Sequence, residues 1–197
     1  MTSLLLAALF APAADPLPAA DPATFFDGKT LAGWDGDKEV WSVDNGEIVG
    51  KTATGLKKNN FLSSKCEVTD FRLTVKVKLT PNKENSGIQF RSGYDPKGIM
   101  AGPQADIGAE WWGKLYEEHQ RGMLVDKGAK EHVKVDDWNE YVIEAKGATV
   151  RMWLNGQKCV DYTDEKLNTK GVIAFQVHSG GPMEVRFKDI KLEVLKK

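Results

Sequence analysis

The chain of 197 residues carries 27 Lys and Arg against 28 Asp and Glu, a formal net charge of −1. So balanced a surface supplies no strong field for DNA or an anionic membrane, and no apolar run is long enough to span a bilayer. With 41% hydrophobic and 28% charged residues, the composition is that of one globular domain with a short tail, not of a disordered chain.

The N-terminus differs from the rest. Residues 4–10 are apolar and lead into Ala11-Pro12-Ala13-Ala14, the pattern of the apolar region and small-residue cleavage site of a secretory signal, although Met1-Thr2-Ser3 brings no Lys or Arg. The expectation is an exported protein, periplasmic or extracellular, with signal and Ala/Pro/Asp linker over residues 1–23 and a folded domain over 24–197. Cys66 and Cys159 can either pair in such a compartment or remain two buried thiols; their spacing is not that of a zinc or redox motif. Trp34, Trp41 and Trp138 sit at predicted strand ends, where packing in the core is expected.

Alternation dominates from residue 71 onward. Over 71–79 every second residue is apolar and the residues between are Arg, Thr and Lys, so one face is buried and the other wet. Pro81-Asn82-Lys83-Glu84-Asn85 ends that strand with turn chemistry. Short strands are predicted over 86–91, 104–107, 115–118 and 123–125. Residues 138–145 and 148–154 form a hairpin around Lys146-Gly147. Asn155-Gly156 then favours φ > 0 at both turn positions, and 158–162 returns from it. Strands over 171–178 and 183–195 close the domain. In the last one the apolar register moves from Val185/Phe187 to Ile190/Leu192/Val194, which predicts a bulge near Lys188-Asp189. No long segment has helical period and no internal repeat is present, so the fold class is an all-β antiparallel sandwich or barrel.

Strand parity also singles out polar residues. Gln89 and Arg91 lie opposite Ile88 and Phe90; Gln104 and Asp106 lie opposite Ala105 and Ile107; Tyr116 pairs with Glu118; Gln176 and His178 lie opposite Phe175 and Val177. A solvated face normally carries Lys, Glu and Thr. Gln, Asp and His on otherwise apolar strands suggest a recessed polar surface instead. If these four strands are neighbours in one sheet, their polar faces merge. Amides, carboxylates, Arg and a tyrosine hydroxyl are the groups that hydrogen-bond sugar hydroxyls, and carbohydrate is the expected partner. Of the adjacent Trp111 and Trp112, one is expected in the core and the other over a sugar face; Trp112 is assigned the sugar. His119 and His132 read as surface residues. Asp106, Glu118 and His178 are candidate ligands for a divalent cation, without a compact metal-binding motif. No Gly-rich phosphate loop or G-x-S-x-G is present.

Four blocks in order carry a family resemblance: Phe26-Asp27-Gly28-Lys29-Thr30-Leu31 with Gly33-Trp34; Asn85-Ser86-Gly87-Ile88-Gln89-Phe90-Arg91; Gln104-Ala105-Asp106-Ile107-Gly108 followed by Trp112-Gly113-Lys114-Leu115-Tyr116-Glu117-Glu118; and Gln176-Val177-His178-Ser179-Gly180. Over residues 24–195 the chain resembles the 3-keto-disaccharide hydrolase domain. The resemblance implies a concanavalin A-like jelly roll of two antiparallel sheets with its site on the concave face, in secreted bacterial proteins that act on glycosides. One departure is Pro103, where the family commonly has an aromatic residue before the Gln-Ala-Asp motif.

The implied activity is cleavage of 3-keto-glycosides by removal of the C2 proton, elimination and hydration. It needs a base (His178 or Glu118), an acid (Asp106 or Glu118) and an oxyanion stabiliser (Arg91 or a bound cation). Gln89, Gln104, Gln176 and Tyr116 would hold hydroxyls. Direct hydrolysis by an Asp106/Glu118 pair is a second route. A non-catalytic lectin-like module is the rival class, followed by a structural cell-surface domain.

Overall fold

The computed structural model describes residues 16–94 and 99–196. Of the signal and linker expected over residues 1–23, residues 1–15 lie outside the described residues. The strands, in chain order, are β1 (Trp34–Asp35), β2 (Trp41–Asp44), β3 (Glu47–Thr52), β4 (Asn60–Val68), β5 (Phe71–Thr80), β6 (Ser86–Tyr94), β7 (Met100–Ile107), β8 (Leu115–Glu118), β9 (Gly122–Val125), β10 (Asn139–Lys146), β11 (Thr149–Leu154), β12 (Gln157–Thr163), β13 (Gly171–Val177) and β14 (Met183–Val194). Residues 130–132 form a single 3₁₀ turn. No helix among the described residues is long and apolar enough to cross a membrane.

The strands make two antiparallel seven-stranded sheets. Sheet A runs β1-β4-β13-β6-β7-β8-β9 and sheet B runs β12-β11-β10-β5-β14-β3-β2. The condition set by the parity argument is therefore met: β13, β6, β7 and β8 are consecutive neighbours in sheet A. Pro18 and Ala20 exchange backbone hydrogen bonds with Glu67, tying the chain to β4 ahead of β1.

The core is the space between the sheets. Phe71, Leu73, Val75, Val77 and Leu79 of β5 alternate with half-exposed Arg, Thr and Lys, so sheet B wets its outer face. β13 is buried at every position, and β6 from Ser86 to Ser92, so sheet A is covered on both faces at its centre. Phe175 of sheet A stacks on Phe187 of sheet B at 4.0 Å and on Trp34 at 5.2 Å, joining the layers through ring contacts. Trp34 and Trp41 are core residues as expected. Trp138 is not: it lies between Lys78 and Lys188, whose ammonium sits 3.9 Å from the ring centroid. The two cysteines lie in different sheets and both thiols are free.

The predicted turns hold. Asn155 and Gly156 have φ of 49° and 81° and connect Leu154 to its partner Gln157. The β14 ladder slips between Lys188 and Lys191, with Asp189 at φ 52° and its carboxylate 2.8 Å from Lys76. The slip returns Leu192 to the inner face, opposite Leu73.

A second irregularity overturns one expectation. Arg91 has φ 48°, at a point where β6 loses register with both neighbours. The parity that put Arg91 beside Gln89 fails there. Its fully buried guanidinium instead donates to the carbonyls of Thr69, Gly147 and Asn168 and to Asp70 Oδ1, at 2.6–3.3 Å. It binds three turns at one end of the sandwich and does not face the polar surface. We expect Arg91→Ala to lower the unfolding free energy by about 3–5 kcal/mol, because Asp70 and buried carbonyls lose their partner. Denaturant titration with an unchanged slope checks this.

Candidate active site

The outer face of sheet A carries the polar residues in rows. Gln89 stands opposite Gln104, and Gln104 opposite Tyr116. Gly87 stands opposite Asp106, and Gly102 opposite Glu118. Alternation drives Ala105 and Ile107 into the core and leaves Gln104 and Asp106 outside. Pro103 is buried on the inner-facing side of β7 with Ala105, so its replacement of an aromatic does not reshape the polar surface.

Asn85, Gln104, Asp106, Trp111, Tyr116, Glu118 and His178 line one cleft of about 180 Å³. That is below the ~300–1,000 Å³ of clefts for drug-sized ligands and suits a single sugar ring. A larger depression of about 430 Å³ around Trp138 is lined mainly by exposed charged side chains, and a lysine already covers the ring.

Asp106 is the most perturbed group in the cleft. Burial pushes its carboxyl up to about 7, and the Glu118 carboxylate pushes in the same direction; the Gln104 amide and Lys114 pull it down. Gln104 Nε2 donates to Oδ1 at 2.7 Å, while the buried Oδ2 has no partner. The backbone is fixed as firmly. The Tyr141 hydroxyl, reaching from sheet B, donates to the Asp106 carbonyl at 2.5 Å and accepts the Gly113 N–H at 2.6 Å.

His178 Nδ1 lies 2.6 Å from the Ser179 carbonyl oxygen. A carbonyl only accepts, so Nδ1 carries the proton and the neutral ring keeps its lone pair on Nε2, the form of a base. Ser179 is held in turn by the Asn59 side chain. Glu118 reaches the exposed His119 at 3.3 Å. Trp111 is 40% exposed, and its ring carries Lys114 at 5.3 Å.

Five expected site residues thus meet in the cleft: Gln104, Asp106, Tyr116, Glu118 and His178. Gln89 and Gln176 share that face but are fully buried beside it; neither atom of the Gln176 amide has a partner. Arg91 lies elsewhere. Trp112 is also corrected: it stacks on Tyr141 in the core, its Nε1 donating to Asn82, and Trp111 is the tryptophan on the cleft. In an irregular segment no strand parity decides between neighbours. Asn85 was missed as a site residue as well, although it ends the turn before β6 and opens the second family block. Among the described residues, no group of three or more His, Cys, Asp and Glu is gathered as a cation site, so Asp106, Glu118 and His178 share a cleft without forming a preformed metal cage.

A sandwich of two antiparallel seven-stranded sheets is the concanavalin- and galectin-like fold. Residues 21–193 match the 3-keto-alpha-glucoside-1,2-lyase-like domain, and the chain belongs to that family. No curated protein matches the sequence. Solved structures of similar fold include a candidate glycosyl hydrolase from Parabacteroides distasonis, at 21% identity and TM-score 0.64 over 87% of this chain and 93% of that one. Another is the carbohydrate-binding module CBM66 from Bacillus subtilis, at 18% identity and TM-score 0.60 over 82% and 95%. A third, a Bacillus subtilis protein with a galectin-like fold, aligns at 11% identity and TM-score 0.62 over 83% and 90%.

The raised Asp106 carboxyl has a thermodynamic consequence. Its folded value of about 7 lies above the ordinary aspartate value of 3.8, so the native state favours the protonated form. That contribution is complete below pH 4 and is lost as pH rises through 7. Asp106→Asn keeps an acceptor for Gln104 without the charge. It is expected to stabilise the fold at pH 8 by roughly 2–4 kcal/mol and to change little at pH 4. Unfolding curves at the two pH values check this.

Proposed function

We propose that this protein cleaves 3-keto-glycosides, with His178 as base and Asp106 as acid. The observation that carries the reading is the pair in one cleft: an imidazole whose Nε2 is free to accept, and a buried carboxyl that retains its proton near neutral pH with Oδ2 unpartnered.

The chemistry follows from the 3-ketone, which acidifies the hydrogen at C2. His178 Nε2 takes that proton, and the C–H electron pair moves into the enolate. The enolate collapses to a C1=C2 double bond and the C1–O bond breaks. Asp106 passes its proton to the departing oxygen. Addition of water across C1=C2 completes a net hydrolysis. The Gln104 N–H groups and the Tyr116 hydroxyl are donors on the cleft wall for sugar oxygens, and Trp111 offers the apolar wall that Trp112 does not.

The test is aglycone release from a 3-keto-glucoside and from its unoxidised parent, followed in deuterated water. Release from the keto sugar alone, with deuterium entering at C2, is the expected outcome. Release from the parent, without exchange at C2, would instead favour direct hydrolysis by Asp106 and Glu118. His178→Asn is expected to lower kcat about 10²–10⁴-fold, the usual contribution of a general base. The resemblance in fold to CBM66 favours a second reading, a binding module; saturable sugar binding without product from either substrate would select it.

A further inference from the structure

A line of buried polar side chains runs along sheet A and ends on Asp106. Ser92 Oγ donates to Gln89 Oε1 at 2.6 Å. Gln89 Nε2 donates to Gln104 Oε1 at 2.9 Å, and Gln104 Nε2 donates to Asp106 Oδ1 at 2.7 Å. Each of the four is at most 2% exposed. Each primary amide accepts at one end and donates at the other, so the orientation of one dictates that of the next.

Two glycines make the line sterically feasible. A Cβ at Gly87 would lie 2.3 Å from Gln104 Cδ, and one at Gly102 would lie 2.4 Å from Ser92 Oγ. Gly102 also has φ +141°, which other residues rarely adopt. The strands therefore leave space at two points of the line, for the Gln104 amide and for the Ser92 hydroxyl. Ser92 itself lines a separate depression with Tyr94 and Val172, away from the cleft.

We propose that Ser92 and Gln89 are positioning residues that act on Asp106 through Gln104, holding Oδ1 as an acceptor so that Oδ2 is the atom that carries and delivers the proton. This rests on the reading of Asp106 as the acid. In that orientation Gln104 also receives the carboxylate formed when the proton leaves. Without the relay, Gln104 is free to turn its carbonyl toward Asp106, and the proton is drawn to Oδ1 instead.

The test reads Asp106 directly, by ¹³C-carboxyl NMR titration of the whole chain, with the signal assigned by its loss in Asp106→Asn. Gln89→Glu, once ionised, can only accept, so above its own midpoint it turns the Gln104 amide round and is expected to raise the Asp106 midpoint by about one unit or more. Gln89→Met removes the contact without adding charge and should raise it by less. Ser92→Ala, which deletes one hydroxyl, should raise it by a few tenths of a unit. In turnover of a 3-keto-glucoside, kcat should fall about tenfold in Gln89→Met with KM nearly constant, as for a group misaligned only at the transition state. A midpoint equal to that of the unaltered protein in every variant that folds, Ser92→Ala included, would overturn the relay. Shifted midpoints in a protein that turns over no keto-glycoside would leave the relay standing and remove the proposed reaction.

Discussion

Asp106 is held from both ends, and the organisation of the site depends on it. Its carbonyl takes the Tyr141 hydroxyl from the opposite sheet, and its carboxyl takes the Gln104 amide from its own strand. The first bond crosses the core, so the position of the acidic group is set by the packing of sheet B against sheet A. The same hydroxyl accepts the Gly113 N–H, and Trp112 stacks on the Tyr141 ring. The segment that carries Trp111 is thereby seated by core contacts, although Trp111 itself is exposed. A site built on this plan inherits the rigidity of the sandwich.

The two sheets have the same number of strands and opposite outer surfaces. Sheet B exposes Arg, Thr and Lys between its core residues. Sheet A buries the outer side of β13 and most of β6, and what it buries there includes amides. Polar groups removed from water without partners are costly, so their number is kept small. The relay from Ser92 to Asp106 satisfies most of the row. Among the described residues, the buried side-chain atoms without a hydrogen bond are Asp106 Oδ2 on the cleft, both polar atoms of the Gln176 amide, and Glu67 Oε2, which pairs with Lys170. Within the cleft, the unpartnered desolvated atom is therefore the Asp106 carboxyl oxygen.

Much of this was legible in the sequence because strand alternation is a rigid rule. Parity put Gln104, Asp106, Tyr116, Glu118 and His178 each on the polar side of its own strand, and the break in parity located the bulge at Asp189; that the polar sides form one surface came from the sheet order. The misses have a common cause, which is the loss of regular geometry. Arg91 sits at a positive-φ irregularity that turns its side chain toward the turns at the sandwich end. Trp111 and Trp112 lie between strands, where nothing in the pattern says which faces in. No strand range was assigned ahead of residue 71, and for β4 the reason is that Asn60–Val68 runs Phe61-Leu62-Ser63-Ser64-Lys65-Cys66 without alternation. There the β4 ladder with β13 slips, and three consecutive residues are buried. Trp138 follows from the opposite effect: its ring meets the ammonium groups of Lys78 and Lys188 on a wet face, so aromatic character did not mean core.

The cost of Asp106 bears on what kind of protein this is. An asparagine in its place could accept from Gln104 and still offer a donor to a sugar hydroxyl, without the penalty of a buried carboxyl that ionises near pH 7. A pure binding surface gains little from the acid that the amide would not supply. Proton transfer does gain, since efficiency is greatest when the donor's pKa lies near the working pH. Burial, the nearby Glu118 charge and the single amide donor together place the carboxyl in that range. The buried Gln176 amide, by contrast, has no proton to give at neutral pH. An acid in this desolvated part of the cleft is what the proposed proton transfer would use and what sugar binding alone would not require.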